Sequence, residues 1–256
     1  MYRFAVAVAG ALLLGGAAPV FAGDTTTFGQ FFQKDSSQRL LRYRNDDTGS
    51  SKGATIYSTS STASTAAGSV PIYFLLSADS LWTDLTGPQD AHMTVSFASN
   101  VGTTGSGSDR SQLFGTGSIV ITRDTAALEG LNSRTNLLTV TFSDADLDAS
   151  NGSGAFTFES TATSMISYTS DFLDFSDIDA QDFSFSFSGS SPNFQAALGW
   201  SSVDTRFSGT GTFASDPAPL TVGVPEASSW AMLVLGFGTV GAVMRAGRRQ
   251  KDLFAA

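Results

Sequence analysis

Carboxylates are the residues of this chain whose spacing most suggests chemistry. Asp144, Asp146 and Asp148 recur at every second position and precede Asn151-Gly152. That pattern superficially matches a calcium loop. An EF-hand beginning at Asp144 needs Gly at its sixth position and Glu at its twelfth, where this chain has Ala149 and Ala155. A second cluster, Asp171, Asp174, Asp177, Asp179 and Asp182, surrounds Phe172 and Phe175. Carboxylates on the loops of a β-sandwich can bind calcium without an EF-hand. Calcium is therefore the one cofactor left open, with Asp144, Asp146, Asp148, Asp174, Asp177 and Asp179 as candidate ligands. The competing reading is a pair of solvated acidic turns, because Asp is a favoured turn residue.

Other chemistries find fewer parts. His92 is the single histidine, so a Ser-His-Asp triad would have to use it, and no Gly-x-Ser-x-Gly elbow accompanies it. Zinc would lack both a second histidine and any cysteine. Glycoside hydrolysis needs two carboxylates flanking the scissile bond. The only glutamates between the two termini are Glu129 and Glu159, although aspartates are plentiful. The expectation is a protein without catalytic residues. A carbohydrate-binding surface would instead use exposed aromatics, for which Trp82, Tyr168 and Trp200 are the candidates.

Charge narrows the partners further. The chain carries 14 Lys and Arg against 23 Asp and Glu, a net charge of −9. Arg3, Arg245, Arg248, Arg249 and Lys251 belong to the termini, which leaves 9 cations in the body; without Glu226 and Asp252, 21 anions remain. A body near −12 repels phosphate chains and excludes nucleic acid as a partner. The absence of cysteine rules out disulfides and thiolate chemistry.

The elements that must position these groups read as strands. Ile119 and Ile121 share a face, as do Leu138, Val140 and Phe142; Phe156 pairs with Phe158; Phe183, Phe185 and Phe187 alternate with Ser. Apolar residues at every second position line one face of a strand. Met93 to Phe97 alternates likewise, Pro71 to Leu76 suits a buried strand, and Phe207 to Phe213 closes the domain through Gly-Thr-Gly. The Phe28, Phe31 and Phe32 stretch is a first strand. Ser36 to Asp47 fits a short helix or a strand. Thr48 to Ser69 reads as a low-complexity loop with Ile56-Tyr57 as an edge strand. The fold expected is all-β, an antiparallel β-sandwich or jelly-roll-like domain, and the 21 phenylalanines suit it because aromatics pack well on pleated surfaces.

The ends differ from the body. Residues 1–22 read as a signal peptide: Arg3, an apolar run from Phe4 to Ala18, then Pro19 and small residues at Val20 and Ala22. Cleavage between Ala22 and Gly23 would follow export through the Sec translocon and processing by signal peptidase. The all-β extracytoplasmic domain then spans 23–215. A Pro-containing linker spans 216–223, held extended by Pro217 and Pro219.

Beyond the linker come Pro225-Glu226, an uncharged apolar run and a basic cluster. A helix over about 228–244 is close to membrane-spanning length, and Arg245, Arg248, Arg249 and Lys251 would act as its stop-transfer residues on the cytoplasmic side. Pro225, Glu226, Trp230, Ala231, Gly236 and Gly238, with Gly241 and the terminal arginines, give residues 224–251 the pattern of a sorting motif. This segment resembles a PEP-CTERM sorting segment, in the variant where the Pro-Glu-Pro motif is followed by a Trp-Ala-Met box. Ala227 stands where the family has its second proline, and Gln250 to Ala256, which include the 252–256 tail, extend past the usual end. The resemblance implies an exported Gram-negative protein at the cell surface or in the extracellular matrix. It implies recognition by an exosortase-like membrane enzyme and a structural or adhesive role linked to exopolysaccharide. A carbohydrate- or calcium-binding module is the alternative, and a polysaccharide hydrolase a more distant one.

Overall fold

A computed structural model describes residues 25–35, 38–61, 66–76, 85, 87–123 and 134–221. The signal peptide with its Ala22–Gly23 junction, Trp82, Glu129 and the whole sorting segment lie outside the described residues. Fifteen strands occur among those that are described. They are β1 (Thr26–Gln33), β2 (Leu41–Asn45), β3 (Ala54–Ser58), β4 (Val70–Leu76), β5 (Gln89–Ser99), β6 (Asp109–Phe114), β7 (Thr116–Arg123) and β8 (Asn136–Phe142). They continue with β9 (Ala145–Ser150), β10 (Phe156–Ser160), β11 (Ile166–Thr169), β12 (Leu173–Asp174), β13 (Ala180–Ser191), β14 (Thr205–Asp216) and β15 (Leu220–Thr221). The fold is all-β and the pairings are antiparallel.

Thirteen of the strands form one sheet. One half runs β11-β8-β7-β5 and the other β14-β13-β10-β9-β6. Two strand pairs join the halves: β4 and β3 occupy successive stretches along β5, while β1 and β2 share β14 in the same way. The sheet therefore splits into two lanes, β4-β1 and β3-β2, and rejoins.

Aromatic contacts show that the halves face each other. Phe97 of β5 stacks on Phe158 of β10 with ring centroids 4.6 Å apart. Phe142 of β8 lies 4.8 Å from Phe183 of β13. Neither pair belongs to neighbouring strands, so these rings bridge two layers of a sheet folded over on itself. The alternation expected in β13 holds: Phe183, Phe185 and Phe187 are buried, and the serines between them point outward. Each such ring, taken out of water, stabilises the fold by about 1.5–3 kcal/mol. Gly211 of β14 makes the packing possible, because a Cβ there would lie 2.1 Å from the Phe185 ring and 2.3 Å from that of Phe31.

Within the stretch Ser36 to Asp47, left open as a short helix or a strand, residues 41–45 form the strand β2. Three local expectations change. Ile56 is fully buried, and β3 lies between β2 and β5 instead of at an edge. Its neighbours supply apolar cover that a Ser- and Thr-rich sequence does not advertise. In β4, Tyr73 is 40% exposed and stands opposite Phe32 of β1, so that run is buried on one face only. The expected linker is shorter at its start: β14 extends to Asp216, and Leu220–Thr221 pairs with Leu173–Asp174 as a two-stranded sheet.

Candidate functional site

Carboxylates, taken first, fall into two kinds of setting. Asp146 and Asp148 lie along the outward row of β9, behind the Phe layer. Asp146 stands directly opposite Glu159 of β10, while Asp148 faces Thr157 on one side and Ser111 of β6 on the other. Partial desolvation, then the charges of Asp148 and Asp144, raise the Asp146 carboxyl above the usual range. Desolvation, then Asp148 and Asp182, raise Glu159 likewise. Asp144 takes a left-handed conformation (φ 59°) at the turn into β9, where its carbonyl accepts hydrogen bonds from Thr161 and Ser164.

The second cluster is tied to turns. Both Thr135 and Asn136 amides donate to Asp171 Oδ2, at 2.9 and 2.8 Å. Asp174 Oδ1 accepts the Ser176 amide at 2.9 Å, which holds its carboxyl below the usual range. Asp179 lies in the turn leading into β13, its amide bonded to the Asp216 carbonyl, and Asp177 is in the same turn. Among the described residues no group of three or more His, Cys, Asp or Glu side chains is disposed to hold a metal ion.

His92 sits within β5 between Pro71 and Thr122. Tyr168 is a core residue: it is 4% exposed, its ring packs on Phe28, and its hydroxyl donates to the Asp182 carbonyl. Burial pushes that phenol well up from its ordinary value. Trp200, by contrast, is 47% exposed.

Trp200 belongs to a long connection between β13 and β14, and a dense polar scaffold fixes it. Two loops meet there. Gly199 N donates to Thr103 O at 2.7 Å, while the Thr103 amide and hydroxyl both donate to Trp200 O. The approach is so close that a Cβ on Gly102 would lie 2.2 Å from Gly199 O. Below Trp200, Asp47 receives the Ser201 amide at 2.8 Å, the Ser201 hydroxyl at 2.9 Å and the Gly53 amide at 2.9 Å. Burial opposes the charge of Asp47, but these hydrogen bonds outweigh it, with help from Lys52, and hold the carboxyl below the usual range.

Deeper still, Tyr43 is fully buried. Its hydroxyl donates to Gln112 Oε1 at 2.6 Å and accepts the Ser202 amide at 3.0 Å. Desolvation raises its pKa far above the ordinary phenol value, so it remains a donor. Gln112 Nε2 then reaches Val101 O at 2.7 Å, and Asn151 clamps Ala196 through both its amide and its carbonyl.

The two loops display Val101, Leu198, Trp200 and Val203 to solvent, each between 40% and 55% exposed. Lys52 Nζ lies over the Trp200 ring, a cation–π contact that orients the indole. The assembly is an apolar platform with one aromatic face, pre-positioned by hydrogen bonds rather than by the core. Such a surface can stack on the apolar face of a sugar ring or on another protein surface. Sequence reasoning found Trp200 but not Val101, Leu198 or Val203, because the two loops that carry them are about 100 residues apart in the chain and share no periodicity.

The chain has no match among protein-family models, curated proteins or solved structures.

Proposed function

We propose that this is an exported cell-surface or extracellular-matrix protein of a Gram-negative bacterium, sorted by an exosortase-type system, with a structural or adhesive role linked to exopolysaccharide. The reading rests on one observation, the succession of Pro225-Glu226, Trp230-Ala231, Gly236, Gly238 and the Arg245 to Lys251 cations behind an all-β body. In this reading signal peptidase acts at Ala22–Gly23 and the helix over about 228–244 anchors the chain until processing. The body is a sandwich of jelly-roll type that carries its ligands on loops and outer faces, and no residue is assigned to catalysis. The Trp200 platform favours carbohydrate binding as the means of adhesion, since a rigid exposed aromatic loses little conformational freedom when it engages a ring.

A pulse-chase in a host with the cognate exosortase, followed by pelleting with its polysaccharide, tests both parts. Glu226→Ala should leave insertion intact and let the unprocessed form accumulate; processing at the wild-type rate would reduce the tail to a plain anchor. Trp200→Ala should leave processing unchanged and release the protein from the pellet. Unchanged pelleting would remove the platform from the adhesive role.

A further inference from the structure

A body near −12 has only nine cations, and two of them lie together and are held by backbone carbonyls, not by carboxylates. Arg42 is paired with Asp204 at 2.7 Å and Arg44 with Asp46 at 2.6 Å. Arg39 and Arg206, close by on the same side of the sheet, have no carboxylate partner among the described residues. Neutral carbonyls position them instead. Arg39 Nε donates to Gly189 O at 2.5 Å, and Arg206 Nη2 donates to Arg39 O at 2.9 Å. Gly189 takes φ 63° inside an irregularity of the β13–β14 register between Ser188 and Ser191, which turns its carbonyl toward Arg39.

These two arginines, with Gln38, Leu40, Ser60 and Ser191, line an open cleft of about 580 Å³. That volume lies within the ~300–1,000 Å³ usual for small-molecule sites.

We propose that this cleft binds the carboxylate of an acidic saccharide. Guanidinium groups anchored on carbonyls keep their remaining N–H donors in the planar fork that matches a carboxylate. Gln38, Ser60 and Ser191 supply the amide and hydroxyl groups that pair with sugar hydroxyls. The surrounding negative charge disfavours compact multivalent anions such as phosphate and leaves room for a saccharide whose carboxylates are spread over its rings. This site is separate from the Trp200 platform and stands whether or not the platform binds sugar.

The test is calorimetric titration of the full chain in detergent with digalacturonate, neutral digalactose and inorganic phosphate. Digalacturonate should saturate one site and weaken with added salt. Digalactose and phosphate should each bind at least about tenfold more weakly. Arg39→Gln and Arg206→Gln should each lower the affinity for digalacturonate by about tenfold or more, with Arg206→Lys falling between. Arg39 is exposed, so its variant should fold and carries the test if Arg206→Gln does not. Trp200→Ala should leave this titration unchanged, which separates failure here from failure of the adhesive reading. Equal binding of the neutral disaccharide, phosphate binding as tight as digalacturonate, or unchanged affinity in a folded Arg39→Gln protein would each overturn the proposal.

Discussion

The Phe layer around Phe158 and the loop scaffold under Trp200 are both fixed in place, by opposite means. Phe158 touches Phe97, Phe114, Phe142, Phe183 and Phe185 and needs no polar partner. Trp200 is held through its backbone and its neighbours' polar atoms: Thr103, Ser201 and Ser202 are all buried, and each is hydrogen-bonded. Apolar packing is non-directional and tolerates small shifts. A hydrogen-bonded scaffold fixes direction but loses heavily when one member goes. The first suits a layer that has only to hold; the second suits a surface that must present one aromatic ring in one orientation.

The largest test of this contrast is Phe158→Ala. It removes a ring from the centre of the layer and leaves a cavity, so global stability should fall by about 3–5 kcal/mol. Denaturant unfolding of the variant should show a lower midpoint and an unchanged slope. A loss below about 1 kcal/mol would mean that the layer repacks and is not the main support of the fold.

Tyr43→Phe probes the scaffold. The change keeps the ring against Phe194 and deletes only the hydroxyl, leaving Gln112 Oε1 without a donor and the Ser202 amide without an acceptor. Leaving buried polar groups unpaired costs about 1–3 kcal/mol. The loss should be local first: hydrogen exchange at the Ser202 amide should quicken and Trp200 fluorescence should change, while amides in β5 and β13 keep their protection. A uniform loss of protection would show that scaffold and layer form one cooperative unit.

The same contrast explains what the amino-acid order made legible. Phe183, Phe185 and Phe187 announce their strand because side chains alternate faces, and the inward set of each regular strand could be read directly. The lanes β4-β1 and β3-β2 could not, since strand pairing depends on contacts between distant residues. Ile56 looked peripheral because its own segment is polar, yet β2 and β5 cover it. Trp200 was visible as an aromatic, but its scaffold joins Asp47, Thr103, Gln112 and Ser201, which no local pattern connects. Arg39 and Arg206 are 167 positions apart and meet where β14 pairs with β2, beside the β13–β14 irregularity. The tail, by contrast, was legible without any fold, because its signal is linear.

The smallest effect concerns charge, and its sign should differ between the two regions. Behind the Phe layer, Asp146 and Glu159 stand directly opposite each other, and both carboxyls are raised above their ordinary values of 3.8 and 4.5. Like charges placed opposite across a ladder destabilise it. A raised acid binds its proton more tightly in the folded chain than in the unfolded one, so ionising it costs stability. That penalty is present at neutral pH and should be relieved as pH falls through the raised values. Under Trp200 the sign reverses. Asp47 is held below 3.8 by amide and hydroxyl donors, so its contribution is present above 3.8 and is lost as pH falls further, toward its folded value. Stability should therefore rise on acidification from neutral to mildly acidic pH, then fall below 3.8. Because these groups are partly exposed, the rise should stay under about 1 kcal/mol at moderate salt. Glu159→Gln should increase stability at pH 7 and flatten the rise, while Asp47→Asn should lower stability at pH 7 and flatten the acid-side fall. Melting curves of the three proteins from pH 7 to pH 3 provide the measurement. A wild-type curve that declines steadily from neutral pH, unchanged by Glu159→Gln, would show that the Asp146–Glu159 row is fully screened by water and that only the loop scaffold depends on charge.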